Sequence, residues 1–222
     1  MPKANAQQAA GETRERLVAA AQHVIAEHGW SGVTTRRVAV QAGVNAGLVH
    51  YHFDSVAALR RAAVVAALQV AGAAAEPPSG DASVESLAQM MAGWLHLQDQ
   101  HPQSAAVLLH GSLACLHDDL LREEVGAMLR RFRGDLAGWL VARGHDEDRA
   151  GQLSALISAA LDGVLLHHLI DPAADPADVM APLLSLAANP PATDRSIDAP
   201  GAAEAPTTAP GSTDEPPTKE AR

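Results

Sequence analysis

Along this chain, apolar residues recur at the spacing of helices. Between Glu12 and His28, the residues Leu17, Ala21, Val24 and His28 fall four, three and four apart, with Val18 and Ile25 beside them. That spacing makes one face of a helix, and Gly29 can stop it. The stretch "GWSGVTT" then breaks the rhythm. Thr34 is a good N-cap, so a short helix is predicted over Thr35–Ala42 with Val38 turned inward. Gly43 permits the positive φ of a tight turn, and Asn45 can cap a third helix running through Phe53. Val49 and Phe53, four apart, then point into one core. Asp54 or Ser55 caps a fourth helix that reaches about Ala75.

"EPPSG" at 76–80 interrupts the pattern, and helices are expected again at about 83–100 and 103–116, separated by His101-Pro102. The clearest helix covers about 119–143, where Leu121, Val125, Met128, Phe132, Leu136 and Trp139 form one stripe and Gly144 supplies the stop. The next, about 147–170, is apolar nearly all round, so it must be buried on more than one side. A last helix starts at Asp175-Pro176, a cap followed by proline, and tolerates Pro182. From Asn189 to Arg222 the chain holds seven of its fourteen prolines and few large apolar residues. Such a segment cannot offset its ordering entropy by burial and is expected to be disordered.

The fold class is therefore all-α. An Ala-, Leu- and Val-rich composition with 3% aromatic residues agrees with that. One cysteine, Cys115, excludes an internal disulfide and any CxxC site. The first residues, "MPKANAQQAAG", have no apolar h-region of a signal peptide, and the longest charge-free apolar stretch, Ala62 to Ala75, is too short to span a bilayer. A cytoplasmic protein with no membrane partner is the expectation.

Charge sharpens the picture. The net charge is −10, yet residues 1–61 carry seven Lys/Arg against four Asp/Glu, a local +3 that leaves −13 for the rest. Screening limits each charge to about 8 Å at physiological salt, so a basic module can still meet phosphate. Two short helices joined by a glycine turn and braced by a third form a helix-turn-helix, whose second helix offers its first residues to base edges. That places Arg36 and Arg37 at the start of the helix crossing the phosphates. Asn45, Ala46 and Leu48 fall at the front of the reading helix, and His50, Tyr51 and His52 behind them. The competing reading of the two arginines is an ordinary solvated face. His50 and His52, two apart, point to different faces of a helix and make a poor metal pair.

The stretch from Thr13 to Leu59, "TRERLVAAAQHVIAEHGWSGVTTRRVAVQAGVNAGLVHYHFDSVAAL", resembles the N-terminal domain of the TetR family of bacterial transcriptional regulators. The likeness includes Glu27-His28-Gly29-Trp30, Thr34, Val38-Ala39, Ala42-Gly43-Val44, Gly47 and Tyr51-His52-Phe53. It implies an all-helical homodimer that binds a double-stranded DNA operator and, through its C-terminal domain, a small-molecule effector, without a cofactor. The chain is expected to divide into a flexible arm (1–11), a DNA-binding domain (12–55), an effector-binding and dimerisation domain (56–188) and the disordered tail (189–222). Carried over by position, Thr34 and Thr35 are cap and phosphate contact, Arg36 a base or phosphate contact, Asn45, Ala46 and Leu48 base-facing, and Tyr51 and His52 phosphate-facing. Two departures stand out. Val56 replaces a lysine that commonly opens the fourth helix, and His50 replaces a tyrosine, which makes that contact pH-dependent.

In the acidic body the candidate ligand residues are Met90, Trp94, His110, Cys115, Phe132, Trp139 and His167, each of which reads more readily as core or surface. His110, Cys115 and His117 match no metal spacing, and no metal site is expected. GxGxxG after a strand, GxxxxGK[ST], HExxH and GxSxG are all missing, so no enzyme is expected. The expected function is a repressor released by a largely apolar effector. The alternatives are an activator and an architectural DNA-binding protein without an effector.

Overall fold

The computed structural model describes residues 2–76, 83–171, 173 and 175–188. The described elements are α1 (Pro2–Gly32), α2 (Thr35–Ala42), α3 (Ala46–His52), α4 (Val56–Ala74), α5 (Val84–Gln100), α6 (Pro102–Ala114), α7 (Asp119–Val141), α8 (Glu147–Ile170) and α9 (Ala177–Ala188). Among the described residues there is no strand. The all-α expectation is met.

The caps that the sequence suggests are formed. The Thr34 hydroxyl accepts from the Arg37 N–H, Asn45 from Gly47 and Ser55 from Ala58. Gly43 closes α2 at φ 64°, a left-handed conformation that costs glycine little. Asp118 and Asp146 cap α7 and α8 in the same way.

One local expectation is corrected. The segment expected to be a flexible arm, 1–11, belongs to α1 from Pro2 onward. Its Ala- and Gln-rich composition favours helix, and proline is tolerated in a first turn. Gly29 interrupts the helix where the sequence suggests, leaving helical geometry at φ 71° and ψ 177°, and one short turn follows across this kink to Gly32. The His110 ring of α6 sits 3.4 Å from where a Cβ of residue 29 would stand, so the kink is packed as well as permitted.

α1 runs through the middle of the arrangement. Its C-terminal half packs on α2, and α2 on α3, around Leu17, Ala21, Val24, Val33, Val38, Val49 and Phe53. The same helix packs on α4 and α6. The head of α1–α3 is thus built onto the body without a linker, and one compact unit, Met1–Pro190, contains all described residues. The tail expected to be disordered, 189–222, lies outside the described residues. α4 and α8 are long and apolar enough to cross a membrane by length and composition. Here α4 packs on α1, α5, α6 and α7, and α8 on α6, α7 and α9. The all-round apolar surface of α8 is divided: Leu153, Ile157, Leu161 and Val164 are buried, while Leu156 and Ile170 remain 47% and 73% exposed.

Candidate nucleic-acid interface and ligand cavity

α2 and α3 stand on the buried Val38, Ala39, Ala42 and Val49, so their opposite faces are outward. Thr34, Arg36, Arg37, Asn45, Ala46, Leu48, His50 and Tyr51 are exposed, and Thr35 and His52 half-buried. All ten expected DNA-facing residues thus lie on the head. Tyr51 is 77% exposed and meets the His52 ring edge-on at 5.0 Å between centroids. A Cβ at Gly47 would meet only Asn45 Oδ1, at 3.4 Å, so no other helix needs that glycine. Its lack of side chain leaves the front of α3 open to close approach.

The arginines of this region do not act alike. Arg14 stacks over Phe53 at 4.9 Å, and Arg16 Nη2 donates to the Ala42 carbonyl at 2.6 Å. Arg37 Nη1 donates to the Gly32 carbonyl at 2.9 Å. Arg60 Nη2 donates to the Val33 carbonyl at 2.7 Å and its guanidinium lies 5.8 Å from the Trp30 ring; burial lowers its pKa. Arg61 pairs with Asp118 at 3.3 Å, both largely covered. Arg36 makes none of these contacts among the described residues. What charge counting treats as one basic footprint is mostly scaffold, with a single uncommitted guanidinium on the outer face of α2. Sequence reasoning missed Val40, which is 75% exposed one turn along from Arg36. The signal was available, because Val40 lies two residues from the buried Val38 and hence across the helix.

The body contains a cavity of about 480 Å³. Leu68, Ala71 and Gly72 of α4 line it with Trp94 of α5 and Leu108, Leu109 and Ser112 of α6. Val125, Met128, Leu129 and Phe132 of α7 and Ser158, Leu161, Asp162, Leu165, Leu166 and Leu169 of α8 close it. Of the seven expected ligand residues it gathers Trp94 and Phe132. The other five do not line it. Met90 is core, His110 packs on Gly29, and Trp139 is buried beneath the Arg143 guanidinium, 3.3 Å from its ring centre. His167 is exposed. Cys115 is half-buried, and burial, reinforced by Asp118 and opposed by Arg122, raises its pKa and keeps it a thiol. Periodicity shows which residues are inward but not which inward faces fail to meet.

Asp162, Ser112 and Ser158 escaped the sequence reading. Asp162 is the one charged residue between Ala150 and Leu166, and a lone carboxylate in an apolar run was the usable signal. Asp162 is exposed, yet partial desolvation on the cavity wall raises its pKa, and the Arg133 charge pulls it partly back. Ser112 donates to the Leu108 carbonyl at 3.0 Å, whereas the buried Ser158 makes no hydrogen bond among the described residues. A group of three metal-ligating side chains is not found among the described residues.

Cavity and head are mechanically joined. On α4, the adjacent Arg60 and Arg61 hold two different elements: Val33 between α1 and α2, and Asp118, the cap of the cavity-lining α7. On α6, His110 touches the kink of α1, and Gly111 lets α4 approach so closely that a Cβ there would stand 2.4 Å from Val64 Cγ1.

Known proteins bear on both halves. Residues 17–63 match the family profile described as bacterial regulatory proteins, tetR family, and residues 78–189 match the profile for the tetracyclin repressor-like C-terminal domain. The HTH-type transcriptional regulator UidR of Escherichia coli (strain K12) is 24% identical over 166 residues, covering 74% of this chain and 81% of its own. A transcriptional regulator from Rhodococcus sp. Rha1 superposes with a TM-score of 0.68 at 27% identity, covering 78% of this chain and 93% of its own. The multidrug binding protein EbrR, solved with imidazole, superposes with a TM-score of 0.58 at 27% identity over 81% of this chain and 97% of its own. With both profiles matched in order along one all-helical chain, this protein belongs to the TetR family of DNA-binding transcriptional regulators.

Proposed function

We propose that the protein is a homodimeric repressor that leaves its operator when a small, largely apolar molecule fills the cavity of the body. The observation that carries this reading is the pair Arg60–Arg61, which ties the helix walling the cavity to the reading head and to the cap of α7 at once. Members of the family bind DNA operators and small effectors and act as dimers. The lining of leucines, alanines, Met128, Trp94 and Phe132 favours an apolar body, with two serines and one carboxylate for orientation.

Each head reads one half-site. Asn45, Ala46 and Leu48 meet base edges, Arg36 reaches a base or a phosphate, and Thr34, Thr35, Arg37, His50, Tyr51 and His52 hold the backbone. Two heads must be held at a fixed spacing, so a shift of α4 or α6 by a ligand spoils binding. Dimerisation uses the uncovered apolar side of α8 together with α9, where Leu156, Ile170, Val179 and Leu186 remain exposed in one chain. The protein works in the cytoplasm, where its DNA is.

Selection of random duplex DNA by the purified protein should yield an inverted repeat. Compounds that quench Trp94 fluorescence should then weaken binding to that repeat, and operator should weaken their binding by the same factor. A selected site without two-fold symmetry, or an effector indifferent to operator, would overturn the repressor reading.

A further inference from the structure

The cavity wall carries one formal charge, Asp162, beside two hydroxyls that can accept a hydrogen bond, Ser112 and Ser158, and the donor-only indole N–H of Trp94. Ser112 has committed its proton to the Leu108 carbonyl, so towards the cavity it offers only lone pairs. Among the described residues Ser158 has no hydrogen-bond partner, so it can accept or donate. Among the described residues no hydrogen bond or ion pair satisfies Asp162. Arg133 acts on it only at longer range, does not line the cavity, and donates its Nε–H to the Leu129 carbonyl of its own helix at 3.4 Å.

Such a wall discriminates by charge. An anionic amphiphile would bring its head group against a carboxylate with no lysine, arginine or histidine on the lining to receive it. A neutral apolar molecule would cover Asp162 and give it nothing, which is costly for a carboxylate. A protonated amine donates in several directions, and its charge is complementary to Asp162. The faces of Trp94 and Phe132 are attractive to cations as well.

We propose that the cavity takes an amphiphilic cation, a molecule with an apolar body and a protonated amine whose N–H groups meet Asp162, Ser158 and Ser112. This ligand class rests on the cavity being the effector site proposed above. Apolar surroundings push the pKa of Asp162 up, and a cation beside it would bring it back down, which is the sign expected of a carboxylate still lacking its partner. The body itself, residues 62–188, holds 16 Asp/Glu against 6 Lys/Arg and so concentrates cations near it.

The test uses the full-length protein and three probes of equal chain length: decylammonium, decanol and decanoate, each titrated below its micelle concentration by calorimetry and Trp94 fluorescence. Decylammonium should bind most tightly and decanoate least. Asp162→Asn should weaken decylammonium about tenfold to a hundredfold and leave decanol within about threefold. Arg133→Ala, which removes the competing cation, should tighten decylammonium several-fold, a change no general loss of packing would produce. Decanoate binding as well as decylammonium, an Asp162→Asn protein that binds the amine unchanged, or no binding of any probe would overturn the ligand class. The same titrations against the selected operator separate the two readings. Amine binding through Asp162 with no loss of operator binding keeps the ligand class and sinks the switch, and release by decanol but not by the amine does the reverse.

Discussion

In the head, helices of eight and seven residues are fixed at their ends by Thr34, Gly43 and Asn45, and the space between them is filled by side chains of their own neighbourhood. In the body, helices such as the 24-residue α8 enclose a cavity and leave Leu156 and Ile170 in solvent. The head repeats one task, presenting a fixed set of donors and apolar groups to DNA, and its arginines are spent largely on rigidity. In the proposed function the body has to yield to a ligand and pair with a copy of itself, and both tasks need surface that its own chain does not cover. Completeness on one side and incompleteness on the other are joined by α1, α4 and α6, so the boundary between them is where the proposed switch would act.

The largest effect should come from closing off the body's incompleteness at the proposed dimer face. Leu156→Glu places two like charges at the two-fold contact and should weaken the dimer by at least about 3 kcal/mol, a hundredfold or more in Kd. Sedimentation showing an intact dimer at micromolar concentration would locate the interface elsewhere. The boundary comes next. Gly111→Ala drives a Cβ against the stiff, buried Val64 and should cost about 1–3 kcal/mol by pushing α6 off α4. Denaturant unfolding measures it, and effector coupling should fall with it.

Within the head, two arginines separate scaffold from reader. Arg36→Ala should weaken operator binding by about 1–3 kcal/mol, relax preference at one base if it reads one, and leave the unfolding midpoint unchanged. Arg16→Ala should do the converse first. It leaves the Ala42 carbonyl without its charged donor and lowers stability by about 1–2 kcal/mol before DNA enters the matter. If Arg36→Ala unfolds like a core mutant, the division of labour drawn here is wrong. Arg37→Ala should lower affinity across all sequences and flatten its salt dependence. The smallest effect has the opposite sign: Gly134→Ala, mid-helix with nothing within 4 Å, should stabilise by about 0.5–1 kcal/mol.

Much of the head was legible because its signals are local. A threonine three residues before an N–H it can cap, a glycine at a left-handed turn, and Val49 four before Phe53 each act within one or two turns of chain. The body's helices were legible for the same reason, and their bounds agree to within a few residues. Its site was not. Trp94 and Phe132 were separated from Met90 and Trp139 only by which inward faces meet and which stay apart.

By itself the sequence determined the helices, their caps, the order of head and body, the charge segregation and, through the motif from Thr13 to Leu59, the family. These depend on backbone sterics and on side chains a few residues apart, so the chain carries them wherever it is. The tertiary structure alone decided that four of the five arginines of the head and its α4 edge other than Arg36 are tied to backbone carbonyls or an aromatic ring and one to Asp118. It decided that Gly29 bends α1 around His110 and that Asp162 reaches a cavity. Those outcomes join residues tens of positions apart, and a contact between distant segments exists only once every intervening helix has been packed.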